Sequence, residues 1–197
     1  MDKVQKQLID TYFRKRKIAN EQEYQYGYRH YEIIYFMKNN IPIERDKYTD
    51  NSIADLLLYH PEYFSMFDLS KLNSSQIEYL LVEQPTLIDK LDLSKLYGSQ
   101  IRNLLIKNPS WIDRFTEYLD ELSSENIEDI IDAHPLLANK LPLISLNGDS
   151  IANILSGNPD IIKYFTNNQL MDELSRENIK DILTFEPQLA KYFKGRI

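Results

Sequence analysis

A chain of 197 residues, 43% hydrophobic and 27% charged with a formal net charge of −7, has the composition of a folded protein rather than a disordered one. It has no cysteine, which excludes disulfides, thiol nucleophiles and cysteine-held metals. Its longest apolar runs, such as Ile33 to Met37, fall far short of a bilayer span, and the opening MDKVQKQLID lacks the apolar core of a secretory leader, so the expectation is a cytoplasmic protein.

Charge divides the chain. Residues 1–47 carry ten Lys/Arg against seven Asp/Glu, a charge of +3, while residues 48–197 carry thirteen against twenty-three, a charge of −10. A mildly basic, Tyr-rich head precedes an acidic body. The preference for Ile, Asn, Lys and Tyr over Gly and Ala matches A/T-rich codons and points to a bacterial, phage or viral genome.

The stretch DKVQKQLIDTYFRKRK predicts one helix and EQEYQYGYRHYEIIYFMKNN a second, with IPIERDKYTD and its Pro42 as the connector to the acidic body. Tyr24, Tyr28, Tyr31 and Tyr35 share one helical face, expected to pack on the body as an N-terminal two-helix cap. Tyr26 and His30 point elsewhere and are candidate exposed contacts. The run Arg14, Lys15, Arg16 and Lys17 stands beside Tyr12 and Phe13. Such a cluster can hold phosphates and stack bases, although cations at a helix C-terminus also simply complement its dipole.

From residue 48 onward the chain repeats itself. Six segments align without a gap: SIADLLLYHPEYFSMF, QIEYLLVEQPTLIDKL, QIRNLLIKNPSWIDRF, NIEDIIDAHPLLANKL, SIANILSGNPDIIKYF and NIKDILTFEPQLAKYF. Their anchors are Pro61, Pro85, Pro109, Pro135, Pro159 and Pro187, at steps of 24, 24, 26, 24 and 28 residues. Eight residues before each proline stands an isoleucine: Ile53, Ile77, Ile101, Ile127, Ile151 and Ile179. Two aliphatics follow at five and four before it, and large apolar residues at two and six after it. The first set forms one helical stripe and the second another. The proline ends the first helix, since it has no N–H to donate, and suits the first turn of the next. Thr49, Asn73, Ser123, Asn147 and Ser175, twelve before their prolines, read as N-caps, and Tyr97 breaks that pattern. Asn108 and Asn158 read as caps of the second helices. The longer steps place insertions near TEYLDE and TNNQLMDE, expected to lengthen loops on one edge.

A 24-residue step with two short helical segments and a mid-repeat proline resembles the leucine-rich-repeat-variant class of α-solenoids, and also the short tandem helical repeats of bacterial and phage proteins. The resemblance covers residues 48–197 and rests on period and pattern. It implies a solenoid and carries over no activity and no site residue. Hairpins this short are marginal alone and need stacked neighbours to enclose a core. The expected fold is therefore all-α: a right-handed-type α-solenoid of six short helical-hairpin repeats over residues 48–197, capped by residues 1–47.

The sequence contains no zinc-protease helix motif, no phosphate-binding glycine loop and no nucleophile-elbow motif. His60 and His134 share one slot three units apart, on the order of 25 Å if neighbouring helices are about 8–10 Å apart, and cannot share a metal. No enzyme activity, cofactor or metal is expected. Two surface features stand out. Glu117, Asp120, Glu121, Glu125, Glu128, Asp129 and Asp132 form an acidic run with no Lys or Arg between Arg114 and Lys140. It is either a solvated face or a docking surface for a basic partner protein. Three residues before the prolines, Leu58, Val82 and Ile106 are apolar where Asp132, Ser156 and Thr184 are polar, so the head or a partner is expected over the first three. The leading expectation is a non-catalytic protein-binding protein, a phage or viral factor that blocks or scaffolds a host or virion protein. Nucleic-acid binding through the head and a role in virion assembly are the alternatives. Self-association is expected through the C-terminal repeat.

Overall fold

Each of the five main helices between residues 73 and 187 is entered through a leucine, and four of the five through a side-chain cap. In the computed structural model, which describes residues 67–196 together with Ala54, Leu57, Leu58, Phe64 and Ser65, the caps lead into five ten-residue α-helices. These are α1 (Ser74–Glu83), α2 (Gly98–Lys107), α3 (Ser124–Ala133), α4 (Gly148–Gly157) and α6 (Arg176–Phe185); a shorter α5 (Asn167–Glu173) precedes the last. Asn73, Ser123, Asn147 and Ser175 each accept the N3 backbone N–H, at 2.9–3.2 Å. The N3 side chains of Gln76, Asn126 and Asn178 return the bond to the cap N–H, so three of the boxes are reciprocal. At Tyr97 half of the box survives: Gln100 Oε1 still accepts the cap N–H at 3.1 Å. At Asn147 the cap N–H goes to the preceding unit instead, donating to Ser124 Oγ at 3.0 Å.

The residue before each cap is Leu72, Leu96, Leu122, Leu146 or Leu174, all buried. Each stands five residues before its unit's buried isoleucine. These are the N′ and N4 positions of a hydrophobic staple, which fixes the angle at which the chain enters the helix. Ile77, Ile101, Ile127 and Ile151 are inaccessible to solvent and Ile179 nearly so. The aliphatic pairs Leu80–Leu81, Leu104–Leu105, Ile130–Ile131 and Ile154–Leu155 are also fully buried. The core is one apolar stripe repeated.

Each helix stops before its proline for the expected reason. Gln84, Asn108, His134, Asn158 and Glu186 leave the α region, with φ between −142° and −128° and ψ between 68° and 76°, as a residue preceding proline must. Their N–H groups still close the helix. The side chains of Asn108 and Asn158 do not cap the next segment, contrary to the sequence expectation, because that segment starts from the backbone carbonyl of the same residue. It is also not an α-helix. Pro85–Leu87, Pro109–Arg114, Pro135–Asn139, Pro159–Tyr164 and Pro187–Tyr192 are 3-10 turns. Apolar residues at two, three and six after the proline fit that tighter winding, and Ile88, Ile112, Ala138, Ile162 and Phe115 go into the core.

A third helical segment links the units. Leu93–Lys95 and Leu143–Ser145 are single 3-10 turns, whereas the longer steps extend this segment, to the 3-10 helix Thr116–Glu121 and to α5. The insertions thus lengthen helix rather than loop. Their far ends return over the start of the same unit's main helix. A Cβ added at Gly98 would collide with the Glu121 carbonyl oxygen and lie 2.9 Å from Asn126 Oδ1; one at Gly148 would meet Glu173 and Asn178 in the same way. The two units with long insertions are those with glycine at the first helical position.

The chain forms two compact units, Met1–Leu72 and Asn73–Ile197. In the first, Ala54 and Leu57 are buried helical residues, Phe64 is buried, and Asp68 caps the 3-10 turn Leu69–Lys71 by accepting from the Ser70 N–H and hydroxyl. In the second, α1 packs on α2, α2 on α3, α3 on α4 and α4 on α6, in chain order. The described residues are helical or irregular with no strand, so the described fold is all-α. The expected cap at 1–47, with Arg14, Lys15, Arg16, Lys17, Tyr26 and His30, lies outside the described residues, as do Ile53, His60 and Pro61.

Candidate interaction surface

The stacked helices leave a polar face made of residues that flank the buried stripe. Seven residues before the prolines stand Glu78, Arg102, Glu128, Ala152 and Lys180; six before them stand Tyr79, Asn103, Asp129, Asn153 and Asp181. The stack brings the seventh-before residue of one unit against the sixth-before residue of the next. Asn103 Nδ2 donates to Glu78 Oε1 at 2.8 Å, the Arg102 guanidinium meets Asp129 at 2.5 Å, and Asn153 Nδ2 donates to Glu128 Oε1 at 2.8 Å. Gln100 adds a bond to the other oxygen of Glu78 at 3.0 Å, and Asn178 joins α6 to Asp149 on α4 at 2.8 Å. A second, more exposed ladder runs along the 3-10 turns: Arg114 with Asp89 at 2.5 Å, and Lys140 with Asp113 at 2.6 Å. His134 belongs to neither. Its Nε2 lies 2.8 Å from the Ile106 carbonyl oxygen of the preceding unit, a structural use of that slot.

These pairings divide the acidic run. Glu128 and Asp129 are half-buried and committed to the ladder. Glu117, Asp120, Glu121 and Glu125 are exposed, and their carboxylates have no partner among the described residues. Asp132 is also exposed. Desolvation against its helix, then the charges of Glu128 and Asp129, raise its carboxyl above the ordinary aspartate value. The four exposed acids lie on the long insertion Thr116–Glu121 and the first turn of α3, positions supported from below by buried Leu119 and Leu122. Glu125 in a first helical turn is also favoured by the helix dipole.

The apolar column is only partly covered. In the second compact unit Val82 and Ile106 are half-buried, as is Ser156 at the same register, while Asp132 and Thr184 are exposed; Leu58 of the first compact unit is also half-buried. Large apolar side chains also reach solvent at Tyr97, Leu136, Ile144 and Phe185. Phe185 is not among the residues that the periodic pattern singles out, although the other described units carry Glu83, Lys107, Ala133 and Gly157 there, and that contrast is visible in the sequence.

No group of His, Asp and Glu able to hold a metal ion occurs among the described residues, and none of their helices is long and apolar enough to cross a membrane. No family model matches the chain, and comparison with curated proteins and with solved structures gives no significant match.

Proposed function

We propose that this chain is a non-catalytic interaction protein: a six-unit α-solenoid, its first unit at 52–67 and its head at 1–47 the end cap, that presents an acidic surface to a basic partner protein. The carrying observation is the split within the acidic run. The acids that bridge the helices, Glu128 and Asp129, are paired, whereas Glu117, Asp120, Glu121 and Glu125 have no partner among the described residues and stand above buried Leu119 and Leu122. Clustered, unneutralised charge is what electrostatic steering toward a cationic surface requires. A phage or viral factor that occupies the basic face of a host or virion protein fits this composition.

The test reverses only the unpaired acids. Glu117→Lys, Glu121→Lys and Glu125→Lys together leave both ladders intact. The variant should stay folded, its melting temperature lowered only slightly by the loss of Glu125 from the first turn of α3, and should lose the partner that the parent protein captures from host lysate, identified by mass spectrometry. Retention of that partner at 0.15 M salt would remove the acidic surface from the account. Reversal of Glu128 or Asp129 is the wrong probe, because it also breaks the stack.

A further inference from the structure

We infer that the face of α6 turned away from α4 is a docking groove for an acidic amphipathic helix of another protein, seated as α3 is seated on α2. The groove is open, about 430 Å³, and is lined by Arg176, Ile179, Lys180, Leu183, Thr184 and Arg196. Its floor is the repeat stripe. Leu81, Leu105, Ile131 and Leu155 are fully buried at the register where Leu183 is only half-buried, so the described residues leave this stripe uncovered. Phe185, 69% exposed, extends the apolar surface at the end of the same helix.

The rim chooses the occupant. Arg176 and Lys180 have no acidic partner among the described residues, and Arg196 is anchored beside them by donating to the Leu174 carbonyl at 2.9 Å. In a chain of net charge −7, the charged residues that line this groove are Arg176, Lys180 and Arg196, with no acid among them. Lys180 occupies the register of Arg102, the residue that meets the next helix in the stack. The molecule therefore shows once how a cation in this position is satisfied: Asp129 of α3, one residue before the middle of an Ile-rich stripe, reaches Arg102 at 2.5 Å. A helix that places a carboxylate opposite Lys180 and two adjacent aliphatics over Leu183 reproduces that interface. This is helix-in-groove recognition with a charged rim setting the register. It uses a different surface from the acidic one and stands without it.

The probe is a helix-stabilised, fluorescently labelled peptide of the α3 sequence SSENIEDIIDAH, titrated by anisotropy against the full chain. Saturable binding is expected. Lys180→Glu in the protein should weaken it about fivefold, as should the peptide change equivalent to Asp129→Lys, and combining the two should restore it. Leu183→Asp should abolish binding while the circular-dichroism melt stays that of the parent. No saturable binding, or binding indifferent to Lys180→Glu and Leu183→Asp, overturns the proposal. So does a concentration-dependent dimer that Leu183→Asp dissolves, because the groove is then filled by a second copy.

Discussion

Arg102 and Asp129 are 27 residues apart in sequence and 2.5 Å apart in space, and their contact is one rung of a ladder whose other rungs use different chemistry. Below it Glu78 accepts from Asn103, and above it Glu128 accepts from Asn153. What repeats is a geometric adjacency; the side chains only have to be complementary. The side chains of the pair are 30% and 38% exposed, so water screens it in part. A double-mutant cycle with Arg102→Ala and Asp129→Ala, read by urea denaturation, should give a coupling energy of about 0.5–1 kcal/mol. The Arg102 Nε is buried without a partner. Arg102→Met, which keeps the packed stem and removes that donor, should therefore lose less than Arg102→Ala. A coupling of zero would mean that desolvation and side-chain ordering offset the whole Coulombic gain, and the pair would no longer count toward the stability of the stack.

Two glycines should respond to alanine in the opposite way from a third. Alanine normally stabilises a helix relative to glycine by about 1 kcal/mol. At Gly157 a new Cβ meets nothing, so Gly157→Ala should raise stability by about 0.5–1 kcal/mol. At Gly98 and Gly148 it meets backbone carbonyls held by the returning insertion. Gly98→Ala and Gly148→Ala should therefore destabilise by about 1–3 kcal/mol, the range for overpacking. Thermal melts of the three variants decide it. A gain at Gly98 would show that the Thr116–Glu121 segment does not return over the start of α2.

Much of this architecture is legible in sequence because the prolines set a register. The isoleucine at eight before each proline and the paired aliphatics identify the buried stripe, since a helix can hide only one face in a stack this thin. The leucine at thirteen before each of the last five prolines is equally regular, but the insertions shift its distance from the preceding proline, and it escapes an eye anchored on the gapless segments. The winding of the second segment is not legible. Apolar spacing after Pro109 suits an α turn and a 3-10 turn alike, and the pre-proline backbone of Asn108 fixes only where α2 ends. Nor could the acidic run be divided from sequence. Asp129 looks like Glu125 until the register across the helices is known.

Caps separate true helix starts from the turns that begin at the prolines. Ser123→Ala and Ser175→Ala each remove an acceptor from the N3 backbone N–H and should cost about 1 kcal/mol. Asn108→Ala and Asn158→Ala remove side chains that cap nothing and should stay within about 0.5 kcal/mol of the parent. Chemical denaturation of the four variants ranks them. Equal losses in the two groups would restore Asn108 and Asn158 as caps.

Two aspartates should give opposite pH dependences. The Asp92 carboxyl is lowered, first by the Ser94 hydroxyl, which donates to it at 2.6 Å, and in part by Lys95. Its folded state holds the proton less tightly than the unfolded chain, so its contribution is present above the ordinary aspartate value and is lost as pH falls through the lower folded one. Asp132 is raised, so its folded state holds the proton more tightly. Stability then declines as pH rises from the ordinary aspartate value through the folded one, and its ionised form opposes folding at neutral pH. Asp92→Asn should therefore lower the melting temperature at pH 7, and Asp132→Asn should raise it. Both differences should vanish once the pH is well below the aspartate range. Both side chains are exposed, so the shifts are small and are best read as differences between paired melts in low salt, where Glu128 and Asp129 act on Asp132 with least screening. A loss on Asp132→Asn at neutral pH would mean that the carboxylate has a partner in solution, and the clustered charge would no longer explain its raised proton affinity.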